Sequence, residues 1–115
     1  MSLRSWIADV WGLVSGSRRM VVVEGLSMAP TLAPGDILWI DTSPRGLPSI
    51  DELVMVRDPV DSTRLLIKRV RSRGGDSFAV GSDDPSQGRD SRHFGSLDAT
   101  HLVGRVSRVC SLAEV

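Results

Sequence analysis

Arg64-Leu65-Leu66-Ile67-Lys68-Arg69-Val70-Arg71 is the stretch on which the architecture turns. Read at the period of two that a strand imposes, it puts Leu66, Lys68 and Val70 on one face and Leu65, Ile67 and Arg69 on the other. Lys68 therefore lies between two apolar neighbours. Burial of that face would disfavour the ammonium and bring its pKa from about 10.4 toward the ~7–8 that suits a general base. Composition singles out the same residue: Lys68 is the one lysine of the chain, and the other thirteen permanently basic side chains are arginine. A desolvated lysine can give up its proton, whereas an arginine cannot.

Outward from this strand the chain repeats one theme. Met20-Val21-Val22-Val23, Ile37-Leu38-Trp39-Ile40-Asp41 and Leu53-Val54-Met55-Val56 precede it as short β-type runs, the last closed by Asp58-Pro59. After it, Gly74-Gly75-Asp76 turns the chain into Ser77-Phe78-Ala79-Val80, and residues 101–109 make a final strand. Thr42 to Ser49 is a loop of Pro, Gly and Ser without periodicity. Many short strands joined by Gly/Pro turns predict a mainly β domain, barrel-like or a folded sheet. A length of 115 residues allows one domain over 1–115, with a β core at 20–109.

Ahead of the core, Ser2 to Gly16 carries Leu3, Trp6, Ile7, Val10, Trp11 and Val14 at helical spacing, with Gly16 as the stop. Arg4 and Asp9 interrupt it, so it predicts an amphipathic helix, too short and too charged to span a bilayer. It lacks the unbroken apolar region and cleavage site of a secretory signal. Its tryptophans and the nearby Arg18-Arg19 permit contact with a membrane surface. Packing on its own domain or on a partner is the competing expectation.

The second landmark is Glu24-Gly25-Leu26-Ser27-Met28-Ala29-Pro30-Thr31-Leu32-Ala33-Pro34-Gly35-Asp36. A serine between a glycine and two prolines cannot continue a regular helix or a central strand, so Ser27 is presented on a bend. With a neutral lysine as its base, such a serine is a nucleophile. Alone, the two residues read equally well as a turn serine and a strand lysine whose charged end reaches solvent.

The remaining composition removes other functions. Fourteen basic side chains balance fourteen acidic ones, which gives no electrostatic case for nucleic acid. Two histidines and one cysteine, Cys110, lack metal-ligand spacing and exclude an internal disulfide. No glycine-rich phosphate loop occurs. Residues 81–95 are too polar for a core and read either as a loop bracketing the site, with Asp90 and Arg92 as an ion pair, or as solvated surface. A triad of Ser27, His93 and Asp90 is disfavoured, because Asp90 and His93 share one short polar stretch where proximity is common by chance.

Taken in order, Ser27-Met28-Ala29-Pro30-Thr31-Leu32 with Pro34-Gly35-Asp36, then Ile67-Lys68-Arg69-Val70, then Asp90-Ser91-Arg92-His93-Phe94-Gly95, resemble the boxes of the type I signal peptidases, a family of Ser/Lys proteases. The likeness runs from about Val22 to about Val106. Within the family it is nearest the short nickel-type superoxide dismutase maturation proteases, to which Val54-Met55-Val56-Arg57-Asp58-Pro59 leading into the Lys68 strand is also similar.

This resemblance implies a serine endopeptidase without a cofactor, in which Ser27 is the nucleophile, Lys68 the base and the Ser27 N–H an oxyanion donor. It implies Met28 on the substrate wall and Asp90 and Arg92 in a supporting loop. Two family hydroxyls are replaced: Gly25 stands where a second oxyanion donor is usual, and Gly88 where a serine bonds the lysine. Ser86 is expected to reach in instead, or the lysine to be held by packing alone. Gly81-Ser82-Asp83-Asp84-Pro85 is a longer, more acidic version of the family's Gly-Asp-Asn. The implied substrate is the N-terminal extension of a nickel superoxide dismutase precursor, cleaved in the cytoplasm or at the inner membrane face. The alternatives are general signal peptidase action on exported proteins, reached through the Ser2–Gly16 helix, and a non-catalytic peptide-binding module.

Overall fold

The computed structural model describes residues 17–43 and 46–111; the helix expected over Ser2–Gly16 lies outside them. Among the described residues seven strands form: β1 (Arg18–Val22), β2 (Ile37–Asp41), β3 (Leu53–Arg57), β4 (Leu65–Gly74), β5 (Ser77–Gly81), β6 (Leu97–Asp98) and β7 (Leu102–Cys110). They make one sheet in the order β1-β2-β7-β3-β4-β5-β6, every neighbouring pair antiparallel. The mainly β, folded-sheet expectation holds.

The sheet is covered on both faces at its centre, which is why β3 and β4 carry unbroken apolar runs where a half-exposed strand would alternate. Val54, Met55 and Val56 of β3 and Leu65 to Ile67 of β4 are all buried. Alternation deals them to two cores. Met55, Leu65 and Ile67 join Leu38, Ile40 and Met28 on one side; Val54, Val56, Leu66 and Val70 join Phe78 and Val80 on the other. Each such side chain contributes about 1.5–3 kcal/mol of burial, and truncating Ile67 to alanine would cost roughly 2–5 kcal/mol. Lys68 pairs across from Val54 and is as buried as the aliphatics around it. Its sequence parity puts it on the Leu66–Val70 face.

Strand β7 binds the sheet together, since it pairs with β2 on one side and β3 on the other. It can approach β2 closely because residue 104 is glycine: a Cβ there would stand 2.6 Å from the Asp41 carbonyl oxygen. Between β1 and β2 the chain makes the loop that carries Ser27. Its ends are tied by Val23 N–H to Asp36 O and Gly35 N–H to Val23 O, each 2.9 Å. Met28 and Leu32, both 1% exposed, anchor its underside in the first core.

Three small elements were not foreseen, one of them a 3-10 turn at Ala99–His101 that delays the start of β7 to Leu102. A single helical turn, Ser91–Phe94, is capped by Asp90, whose carboxylate accepts from Arg92 N–H while His93 Nδ1 accepts from Asp90 N–H. β6 has two residues, too few to show a period in sequence.

Candidate active site

The loop carrying Ser27 and the strand carrying Lys68 are brought together by a third segment, residues 81–90, which crosses both. Asp84 N–H donates to the Ser27 carbonyl at 2.9 Å. Next to it, the Asp83 carboxylate accepts from Thr31 Oγ1 at 2.6 Å and takes a two-pronged grip from Arg69, 2.9 Å from Nε and 2.8 Å from Nη2. Thr31 belongs to the serine loop and Arg69 to β4, so one carboxylate fastens the two elements to each other. At the far end, Arg89 Nε bonds Asp58 Oδ2 at 3.0 Å, and Asp58 also caps the turn between β3 and β4 through Val60 N–H. Such charge-assisted bonds are the strong kind.

Gly88 lies within this clasp, against both Ser27 and Lys68. A Cβ built on it would stand 2.8 Å from Ser27 Cβ, 3.5 Å from Ser27 Oγ and 3.0 Å from Lys68 Nζ. The two polar atoms are thus no further apart than the last two distances laid end to end. Residue 88 has φ of +71°, a conformation that side chains other than glycine's rarely adopt. Both neighbours are enclosed: Ser27 is 1% exposed and Lys68 fully buried.

Their hydrogen bonding differs. Ser27 Oγ has no partner among the described residues, an open valence of the kind that marks a functional group in a buried site. Lys68 Nζ donates to Ser82 Oγ at 3.0 Å. Burial pushes the Lys68 ammonium down to about 8, opposed by the Asp90 carboxylate and assisted by Arg92 and Arg64. Burial works against the Asp90 carboxylate as well. The Arg92 guanidinium, the backbone N–H groups of Ser82 and Arg92 and the Ser82 hydroxyl outweigh it, and hold that carboxyl well below the usual range. Arg92 reaches Asp90 through both Nε, at 2.9 Å, and Nη2, at 3.0 Å.

One sequence expectation is corrected. Ser86 does not reach the lysine; its Oγ donates to Asp84 Oδ1 at 2.6 Å and closes its own turn. Met28, expected on the substrate wall, packs into the first core, while Leu26 on the other side of Ser27 in sequence is 51% exposed. Ser82 was the residue missed. A signal for it existed: the β4–β5 register pairs Val70 with Val80 and Arg69 with Gly81, and one further step sets Ser82 opposite Lys68. The oxyanion role of the Ser27 N–H has no counterpart side chain at Gly25, whose φ is +81°.

A cavity of about 570 Å³ opens beside this cluster, lined by Arg71, Val80, Pro85 and Arg92 as well as by Ser82 and Asp90. Neither Ser27 nor Lys68 lines it, so it backs the supporting residues and is separate from the reacting ones. Among the described residues no group of His, Cys, Asp and Glu is arranged to hold a metal ion, and no helix is long and apolar enough to cross a membrane.

The site thus holds a buried serine with an unpartnered hydroxyl and a buried lysine whose pKa burial lowers, on a loop and a strand fastened to each other. Comparison with curated proteins gave no match. The family model described as signal peptidase, peptidase S26, matches residues 7–84, which take in Ser27, Lys68 and Ser82. That span is more than half of the chain, and the chain belongs to the signal peptidase family, peptidase S26, whose members act on protein and peptide substrates.

Proposed function

We propose that the protein is a serine endopeptidase in which neutral Lys68 is the general base for Ser27. The observation that carries this reading is the approach of both side chains to Gly88, with the Ser27 hydroxyl unpartnered and the lysine desolvated. Lys68 takes the Ser27 proton as Oγ attacks the scissile carbonyl, and the Ser27 N–H holds the oxyanion of the tetrahedral intermediate. The protonated lysine then delivers its proton to the leaving amine, and the neutral amine activates water to hydrolyse the acyl-enzyme. With glycine at position 25, oxyanion stabilisation rests on backbone donors. Leu26, exposed beside the nucleophile, is the candidate contact for an extended peptide.

For the substrate we propose the N-terminal extension of a nickel superoxide dismutase precursor. Support comes from the similarity of residues 54–70 to the maturation proteases of that enzyme. Such a precursor puts the reaction in the cytoplasm; Ser2–Gly16, with Trp6 and Trp11, is the candidate for contact with the inner membrane face. Co-expression of precursor with wild type and with Ser27→Ala, read by intact mass, tests the activity and the substrate together. Loss of the extension with wild type alone is expected. Cleavage that survives Ser27→Ala would overturn the nucleophile, and an intact precursor beside an active wild type would overturn the substrate. Co-flotation with liposomes tests the membrane contact, and its absence would end that part of the proposal.

A further inference from the structure

Lysine as a general base has a directional problem. A neutral amine carries two N–H bonds and one lone pair, and only the lone pair can take the serine proton. Any acceptor near the amine must engage an N–H, and any donor near it would occupy the lone pair and silence the base.

The polar groups around Lys68 Nζ resolve this in a particular way. Ser82 Oγ lies 3.0 Å from it. A hydroxyl can donate as well as accept, so its polarity depends on where its own proton goes. Here the Ser82 N–H donates to the Asp90 carboxylate at 3.0 Å, which sets that carboxylate beside the Ser82 hydroxyl, and the hydroxyl helps to hold it ionised. Asp90 can only accept while ionised, and it is kept so by the grip of Arg92. With its single proton turned toward that carboxylate, Ser82 offers Lys68 a lone pair, in keeping with the 3.0 Å bond from Nζ. The other charged groups acting on the amine, Arg92 and Arg64, contribute through space. Ser27, which flanks Gly88 together with the amine, has an unpartnered oxygen.

Position 88 cannot supply this acceptor. Its left-handed φ and the 2.8 Å approach to Ser27 Cβ leave no room for a side chain in this backbone. The hydroxyl comes instead from the end of β5, where the antiparallel register aims residue 82 at residue 68.

We infer that Ser82 is the positioning residue of Lys68, and that Asp90 fixes the polarity of the Ser82 hydroxyl so that the amine lone pair is left for Ser27. The inference rests on the Ser/Lys reading above and deepens it. Ser82 acts on the lysine and Asp90 acts through Ser82, and neither takes the Ser27 proton itself.

The single lysine makes the test direct, because protein labelled with ¹³C at lysine Cε gives one lysine side-chain signal, whose titration reports Lys68 without any substrate. Wild type, Ser82→Ala and Ser82→Thr would be titrated, with thermal melting to establish that each is folded. Removing an acceptor that stabilises the ammonium should lower the Lys68 pKa by about one unit in Ser82→Ala. Ser82→Thr, which keeps the hydroxyl, should restore it. On the co-expressed precursor, or any peptide wild type cleaves, Ser82→Ala should lower kcat by about 10–100-fold with KM unchanged, the pattern of a misdirected base. An unchanged or raised pKa in folded Ser82→Ala, or a threonine variant no better than alanine, would overturn the inference while leaving the dyad standing. A wild-type lysine titrating near its ordinary value would overturn the dyad itself.

Discussion

Asp84 N–H donates to the carbonyl of Ser27 at 2.9 Å, so the segment that ends β5 is fastened to the backbone of the proposed nucleophile. Residues that touch neither substrate nor base thereby govern the approach of Ser27 to Lys68. The predictions below follow from that arrangement and from the burial of Lys68.

Replacing Lys68 with arginine should abolish cleavage as fully as replacing it with alanine, by at least ~10³-fold, because arginine keeps its proton at every accessible pH. Size and charge are nearly retained, so the arginine variant separates proton transfer from charge. Measurable turnover in Lys68→Arg would remove the lysine from the role of base.

The rate should rise with pH through a single ionisation near 8, where burial places the Lys68 pKa. Below that value the ammonium cannot accept the Ser27 proton, and kcat/KM should fall tenfold per pH unit. A profile flat from pH 6 to 9 would mean that another group, or none, limits the reaction.

Stability should carry the same signature. The unfolded chain holds the Lys68 proton up to about 10.4 and the folded one releases it near 8, so between those values the unfolded state binds more protons and stability rises with pH. Below 8 the cost of charging the buried amine is fully present, at about 3 kcal/mol. Lys68→Met should therefore be more stable than wild type at pH 7, with the gap closing by about pH 10.5. The chain has no tyrosine to obscure that window. Urea midpoints at the two pH values measure it, and a gap that does not change with pH would contradict the desolvated lysine.

Gly88→Ala should inactivate with only moderate loss of stability. The left-handed backbone costs a non-glycine residue about 1–2 kcal/mol, whereas the new methyl would press on Ser27 Cβ and Lys68 Nζ at 2.8 and 3.0 Å. Activity down by ~10²-fold or more in a folded protein is expected. Wild-type activity in Gly88→Ala would show that this segment does not set the distance between the two.

Much of this arrangement was legible in the sequence, and the limits have physical causes. β4 could be read because an aliphatic run with one lysine has an unmistakable parity, and the Ser27 bend because glycine and proline leave the backbone few choices. Ser82 escaped notice because its meaning lies in register: a serine after Gly81 acquires a partner only once β5 is laid against β4. The inward turn of Met28 was not legible, because neighbours on a tight turn point in unrelated directions and packing with Leu32 decides which goes inward. Ser86 was expected at the lysine, but the nearest acceptor for a turn serine is its own turn. The clasp through Asp83 and Asp84 joins residues distant in sequence, partly through backbone, and leaves no pattern to find.

The place of β7 has a consequence for when catalysis can begin. The Ser27 loop hangs from β1 and β2 and Lys68 sits in the meander that starts at β3, yet within the sheet these halves are bridged by the last strand in sequence order. A nascent chain can possess both reacting residues and still lack the ladder that aligns them. Pairing of residues 102–110 with β2 and β3 should therefore be the step that joins the half of the sheet holding the Ser27 loop to the half holding Lys68.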